Sequence, residues 1–133
     1  MLKQGDTYIH EFVITQDEVN TFAQISGDNN PIHTNIEYAK TTPFGRPIVH
    51  GILSAAVFSK VFGTLFPGEG TIYMSQELKF LAPVFTGDQY IAKFEVVETT
   101  PEKHRGVIKC TIESTDGKIV LDGMAKLQNK NQF

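Results

Sequence analysis

The second half of the chain is built on short apolar runs separated by turn residues. Thr71 to Phe80, Gln89 to Glu98, Arg105 to Ser114 and Ile119 to Gln128 are strand-like, broken by Thr86-Gly87-Asp88, a Pro101-containing loop and Asp116-Gly117. That punctuation predicts four strands in sequence. The chain also opens on a strand, since Thr7 to Ile14 places Tyr8, Phe12 and Ile14 on one alternating face. The period then changes. Thr15-Gln16-Asp17-Glu18 matches a capping box, and Val19, Phe22, Ala23 and Ile25 follow at helical spacing until Gly27. Asn35 to Thr41 reads as a short helix, after which Pro43, Gly45 and Pro47 force an irregular loop that delivers His50 and Gly51.

Between the two strand regions lies a segment with almost no polar face. From Gly51 to about Phe66, the residues Ile52, Leu53, Ala55, Ala56, Val57, Phe58, Val61, Phe62 and Leu65 predict a helix that needs burial on all sides. It is short for a membrane span and is interrupted by Ser54, Ser59 and Lys60, so a sheet wrapped around it is the expected cover. Pro67-Gly68-Glu69-Gly70 ends it. The fold class is therefore α+β, a curled antiparallel sheet on a central apolar helix. Periodicity supplies the elements and leaves the strand order open.

Composition narrows the function classes. With 133 residues, 41% hydrophobic and 20% charged, the chain is expected to form one domain over residues 1–133. A net charge of -3 and the lack of any Lys/Arg run argue against nucleic acid or a membrane surface as partner. The first residues lack the apolar core of a secretory signal, which gives a cytoplasmic expectation. Cys110 is the single cysteine, so no intrachain disulfide can form, and its strand-like neighbours suggest a small buried hydrophobe.

The candidate chemistry sits in Ser26-Gly27-Asp28-Asn29-Asn30-Pro31-Ile32-His33. A carboxylate and an imidazole on one stiff turn can hold a water between them, remove one proton and return another. Gly27 permits a conformation other residues avoid, and Pro31 biases Asn30 away from helix. A turn cap and a satisfied loop histidine are the plainer readings of Asp28 and His33. His33 and His50 lack a third ligand at a supporting spacing, so no metal is expected. Asp28-Asn29-Asn30 lacks the later glycine and acid of a calcium loop. Gly68-Glu69-Gly70 follows a helix and leads to a strand, the reverse of a phosphate cradle. There is no Gly-x-Ser-x-Gly element, and Ser54 and Ser59 within an apolar helix are poor nucleophiles.

Three blocks in order, Ser26 to His33, Pro47-Ile48-Val49-His50-Gly51, and Phe80-Leu81-Ala82-Pro83-Val84-Phe85-Thr86-Gly87-Asp88, resemble the MaoC-like, (R)-specific enoyl-CoA hydratase family over nearly the whole chain. The resemblance implies a hot-dog fold, with the Gly51 helix inside the sheet, and a homodimer joined sheet edge to sheet edge. It implies addition of water to a trans-2-enoyl thioester to give an (R)-3-hydroxyacyl thioester, with CoA or an acyl carrier protein as the thiol carrier and no cofactor. Asp28 and His33 would be the catalytic pair, leaving open which protonates C2, with Asn30 in support. The amide of Gly51, at the start of the buried helix, is the expected oxyanion donor. Ser59 matches a position where relatives carry a hydroxyl near the site. His50 either touches substrate or holds the loop, and Phe58, Phe62 and Leu65 either line an acyl pocket or pack the core. A carrier-protein dehydratase and a non-catalytic acyl-thioester binding module are the alternatives. The helix has no acidic residue between Gly51 and Phe66, which speaks against a hot-dog thioesterase.

Overall fold

The computed structural model describes residues 1–133. Its elements are β1 (Thr7–Val13), α1 (Gln16–Ser26), α2 (Pro31–Thr34), α3 (Ile36–Lys40), α4 (Gly51–Thr64), β2 (Ile72–Phe80), β3 (Gln89–Thr100), β4 (Arg105–Ser114) and β5 (Ile119–Gln128), with a 3-10 turn at Pro101–Lys103. The strands form one sheet in the order β1-β3-β4-β5-β2. Every neighbouring pair is antiparallel. The long connection from β1 through the helices to β2 carries the chain from one edge of the sheet to the other, leaving α4 against its inner face.

Alternation writes that inner face. Tyr90, Ala92, Phe94 and Val96 from β3 point inward beside Ile108, Cys110 and Ile112 from β4, and all are buried. Phe58 and Phe62 of α4 meet the Phe94 ring edge-on, at centroid distances of 5.7 and 5.4 Å. Each ring so buried contributes roughly 1.5–3 kcal/mol of transfer free energy. Cys110 is one of these core residues, and burial pushes its thiol pKa up to about 11. It behaves as the buried hydrophobe its neighbours suggested.

The capping box is present in full. Thr15 Oγ1 accepts from Glu18 N at 3.2 Å while Glu18 Oε1 accepts from Thr15 N at 3.0 Å. Gly27 ends α1 in the left-handed region at φ 78°. Val19 and Ala23 face the interior, whereas Ile25, expected on the same stripe, lies outside. Asn35 caps α3 by accepting from Tyr38 N at 3.0 Å.

The central helix spans Gly51–Thr64 with Leu65 as its C-cap, close to the expected end near Phe66. One expectation needs correction, because the helix is not buried on all sides: Ile52 is 62% exposed, and Ala56, Ser59 and Lys60 share its open side. One five-stranded sheet covers only one side of a helix, and edge strand β2 is itself exposed along most of its length. No helix is long and apolar enough to cross a membrane.

Candidate active site

The turn after α1 is built from side chains that bond to backbone a few residues on. Ser26 Oγ donates to Phe22 O at 2.7 Å and accepts from Asp28 N at 3.1 Å. Asp28 Oδ1 then accepts from Asn30 N, and Asn30 Oδ1 from Ile32 N, both at 3.2 Å. Short polar side chains favour such local bonds over continued helix. Asn30, at φ -54° and ψ 121°, is the extended residue that Pro31 demands, and α2 begins immediately after it. Its amide oxygen caps α2, and its exposed NH₂ group makes no hydrogen bond within the chain.

α2 carries His33 inward, where it is 9% exposed. Its Nδ1 lies 2.7 Å from the carbonyl oxygen of Ile48. A carbonyl can only accept, so Nδ1 bears the proton and Nε2 presents its lone pair. Burial holds the His33 pKa below the ordinary imidazole range, reinforced by His50 and opposed by the Ile48 hydrogen bond and the charge of Asp28. Gln16 Nε2 also donates to His33 O at 2.8 Å, tying α2 to α1. Sequence reasoning missed Gln16, because a contact to a backbone oxygen 17 residues away leaves no local pattern.

His50 lies just before α4 and is 3% exposed. Its ring stacks on His33 at a centroid distance of 3.9 Å and 29°. Its Nε2 is 3.0 Å from the backbone oxygen of Asp28. One ligating atom from each of Asp28, His33 and His50 falls within 4.8 Å of the others. The fold therefore gathers the acid and the imidazole from the motif, and adds the second histidine. The trio is poorly shaped for a metal. Ring planes stacked at 3.9 Å and 29° meet well beyond the roughly 2 Å reach of an imidazole lone pair, so both rings cannot ligate one ion.

Beside the trio is a cavity of about 410 Å³ whose lining includes His33, Gly51, Ser54, Phe80 and Leu121. Asp28 and Asn30 are exposed and do not line it. Gly51 opens α4 there, and its N–H has no partner among the backbone or side-chain hydrogen bonds. An unbonded amide at a helix N-terminus attracts developing negative charge. A Cβ at Gly51 would lie 2.8 Å from Phe80 Cε1, so the exposed Phe80 ring would have to shift to admit one. Ser54, weighed in the sequence only as a nucleophile, is buried and donates from Oγ to Gly51 O at 2.6 Å. No pattern in the sequence pairs it with that carbonyl or Phe80 with Gly51.

Other sequence candidates lie elsewhere. Ser59 lines a separate groove of about 370 Å³ with Ile52, Ala56, Tyr73 and Gln76, on the open side of α4. Phe58 and Phe62 belong to the core cluster, and neither lines the cavity beside His33. Leu65 follows the far end of α4 and is 43% exposed.

An antiparallel sheet packed on one apolar helix is the hot-dog arrangement, and here it sets an acid and two histidines beside that helix's open N-terminus. The profile of the MaoC like domain matches residues 3–118, and the chain belongs to that family. The chain is 45% identical over 124 residues to the 3-hydroxybutyryl-CoA dehydratase of Methylorubrum extorquens, covering 93% of this chain and 78% of that protein. It is 41% identical to the (R)-specific enoyl-CoA hydratase of Rhodospirillum rubrum, covering 93% and 85% respectively. Among solved structures, an (R)-hydratase from A. caviae involved in PHA biosynthesis superposes with a TM-score of 0.92 at 37% identity, covering 96% of this chain and 97% of that one.

Proposed function

We propose that this protein catalyses the reversible addition of water to a trans-2-enoyl-CoA, giving the (R)-3-hydroxyacyl-CoA. The carrying observation is the Asp28 and His33 pair, gathered within 4.8 Å, with His33 Nε2 kept as a lone pair by the Nδ1–H bond to Ile48. A water held by the Asp28 carboxylate gives a proton to His33 Nε2 as its oxygen bonds to C3. The C2–C3 π electrons move toward the thioester, and the carbonyl oxygen takes negative charge that the Gly51 amide receives. The imidazolium then returns its proton to C2, so the elements of one water are added and the dyad is regenerated. Throughout, Asp28 stays a carboxylate that orients the water and steadies the charged ring, and the Asn30 NH₂ group is the supporting donor. No cofactor enters any step.

Finer parts of the reading rest on separate observations. A homodimer is supported by the exposed apolar groove that Ile52 on α4 shares with Tyr73 and Met74 on edge strand β2, which a second copy would cover. Such a pairing would also enclose Ser59, which lines the same groove. CoA as the carrier is supported by the likeness to the 3-hydroxybutyryl-CoA dehydratase and the (R)-specific enoyl-CoA hydratase, at 45% and 41% identity. A cytoplasmic setting accords with the unpaired, buried thiol of Cys110.

The test is crotonyl-CoA hydration, followed by loss of the conjugated thioester absorbance and by product chirality, with Asp28→Asn and His33→Ala in parallel. Each variant is expected to fold and to lose roughly 10²–10⁴ in turnover. Undiminished turnover in either would remove that residue from the mechanism. A parent inert toward both CoA and carrier-protein enoyl thioesters would leave a binding module.

A further inference from the structure

The two histidines form a reciprocal clasp across the site. His33, on the turn side, donates from Nδ1 to Ile48 O, two residues before His50. His50, on the loop side, donates from Nε2 to Asp28 O, five residues before His33. Each imidazole thus bonds to the backbone of the segment that carries the other, while the ring faces stack at 3.9 Å. A backbone bond from Ile48 N to Ile32 O at 3.2 Å runs between the same two segments.

His50 bears a cost that simple packing would not require. Because Nε2 carries the proton, Nδ1 is an acceptor, and it is buried without a partner. A buried acceptor that gives up water and gains no donor destabilises the fold. The ring also packs edge-on against Phe22 at 4.8 Å, an environment that a phenyl side chain would suit better. What a phenyl cannot supply is the N–H that reaches Asp28.

We propose that His50 is a positioning residue of the reaction, holding the Asp28 backbone so that its carboxylate and His33 Nε2 share one water. The inference rests on the hydratase reading of the dyad. His50 acts through Asp28 and His33 and takes no proton from the substrate. If the clasp loosens, the two groups drift from the geometry at which both reach the water. Misplacements of this kind cost on the order of 10²-fold in rate.

Two substitutions separate positioning from mere support of the loop. His50→Phe keeps the stacked ring and removes the orphaned nitrogen, yet deletes the donor to Asp28. His50→Gln gives up the ring but retains an N–H at about the same reach. The expected result is a rank reversal, with His50→Phe the more heat-stable and the slower, its kcat down roughly 10- to 100-fold at nearly constant KM. His50→Gln should have the lower Tm and recover most of kcat. Activity that follows Tm across the two variants would overturn the proposal. A measurement independent of turnover is ¹⁵N imidazole spectroscopy of the parent, where His50 should be the Nε2–H tautomer and His33 the Nδ1–H tautomer. A His50 proton on Nδ1 would overturn the clasp whatever the activity. Correct tautomers in a parent that hydrates no enoyl thioester would instead uphold the clasp and fail the hydratase reading alone.

Discussion

The sheet with α4 and the stretch from Gly27 to Gly51 are held together by different forces. The first rests on ladder pairing and on a cluster of 20 buried apolar residues, to which the second contributes only Val49. The second is held mainly by directional polar bonds, among them Gln16 to His33, His33 to Ile48, His50 to Asp28, and Arg46 to Asp88. Redundant apolar contact makes a scaffold that one lost bond does not disturb. Directional bonds make a site whose atoms sit at set distances but which depends on each partner. Damage to the scaffold should therefore appear as lost stability, and damage to the site segment as lost chemistry.

Phe58→Ala is the strongest scaffold test. The ring is fully buried and meets Phe94 edge-on, so its removal should cost about 3–5 kcal/mol of stability. At a temperature where the variant remains folded, kcat on crotonyl-CoA and the preference among acyl lengths should match the parent. Denaturant titration and a chain-length series check both halves. A changed length preference without lost stability would break the contrast and restore Phe58 as part of an acyl pocket.

A smaller effect comes from His33 itself. Burial lowers its pKa below 6.5 in the folded chain. The fold therefore favours the neutral ring. Its contribution to stability is complete above the unfolded value near 6.5 and is lost as pH falls through the folded pKa. The same titration removes the base. The acid limb of kcat/KM should lie below pH 6.5 and fall about tenfold per pH unit. A limb at or above 6.5 would mean that the Ile48 hydrogen bond and the charge of Asp28 together outweigh burial. In that case the site segment would owe its behaviour to its polar partners rather than to enclosure.

The contrast also explains what the sequence disclosed. Strands, the capping box and the Gly27 stop are local, and alternation or spacing within a few residues sufficed to place them. The open side of α4 was misjudged because apolarity reports that Ile52 and its neighbours need cover without saying which element supplies it. Asp28, Asn30 and His33 were legible because they share one turn. Gln16 was not, nor were Ile48 as the acceptor that sets the His33 tautomer, Ser54 at Gly51 O, and the Phe80 ring against Gly51. Those contacts engage backbone atoms or bring distant segments together, and residue identity alone does not encode them.

The mildest test is Arg46→Ala. The guanidinium forms a two-pronged pair with Asp88 and lies over the Phe85 ring at 4.1 Å, so it bridges the loop before His50 and the turn before β3. Both partners are roughly half exposed, which holds the ion pair to about 0–1 kcal/mol, with the ring contact adding ~0.5 kcal/mol. The same loop has backbone anchors that do not involve Arg46. Val49 N donates to Val84 O at 2.7 Å, and Ile48 pairs with Phe85 in an isolated bridge. Those bonds hold the Ile48 carbonyl that sets His33. The variant should therefore lose little Tm, and a salt titration should weaken the parent toward it, because exposed pairs are screened. Its kcat should stay within a few-fold of the parent, since the bonds nearest the dyad survive. A kcat loss as large as that of His33→Ala, at unchanged Tm, would show that the site segment has no redundancy at all. The line between scaffold and site would then have to be drawn at the Asp88 turn rather than at Gly51.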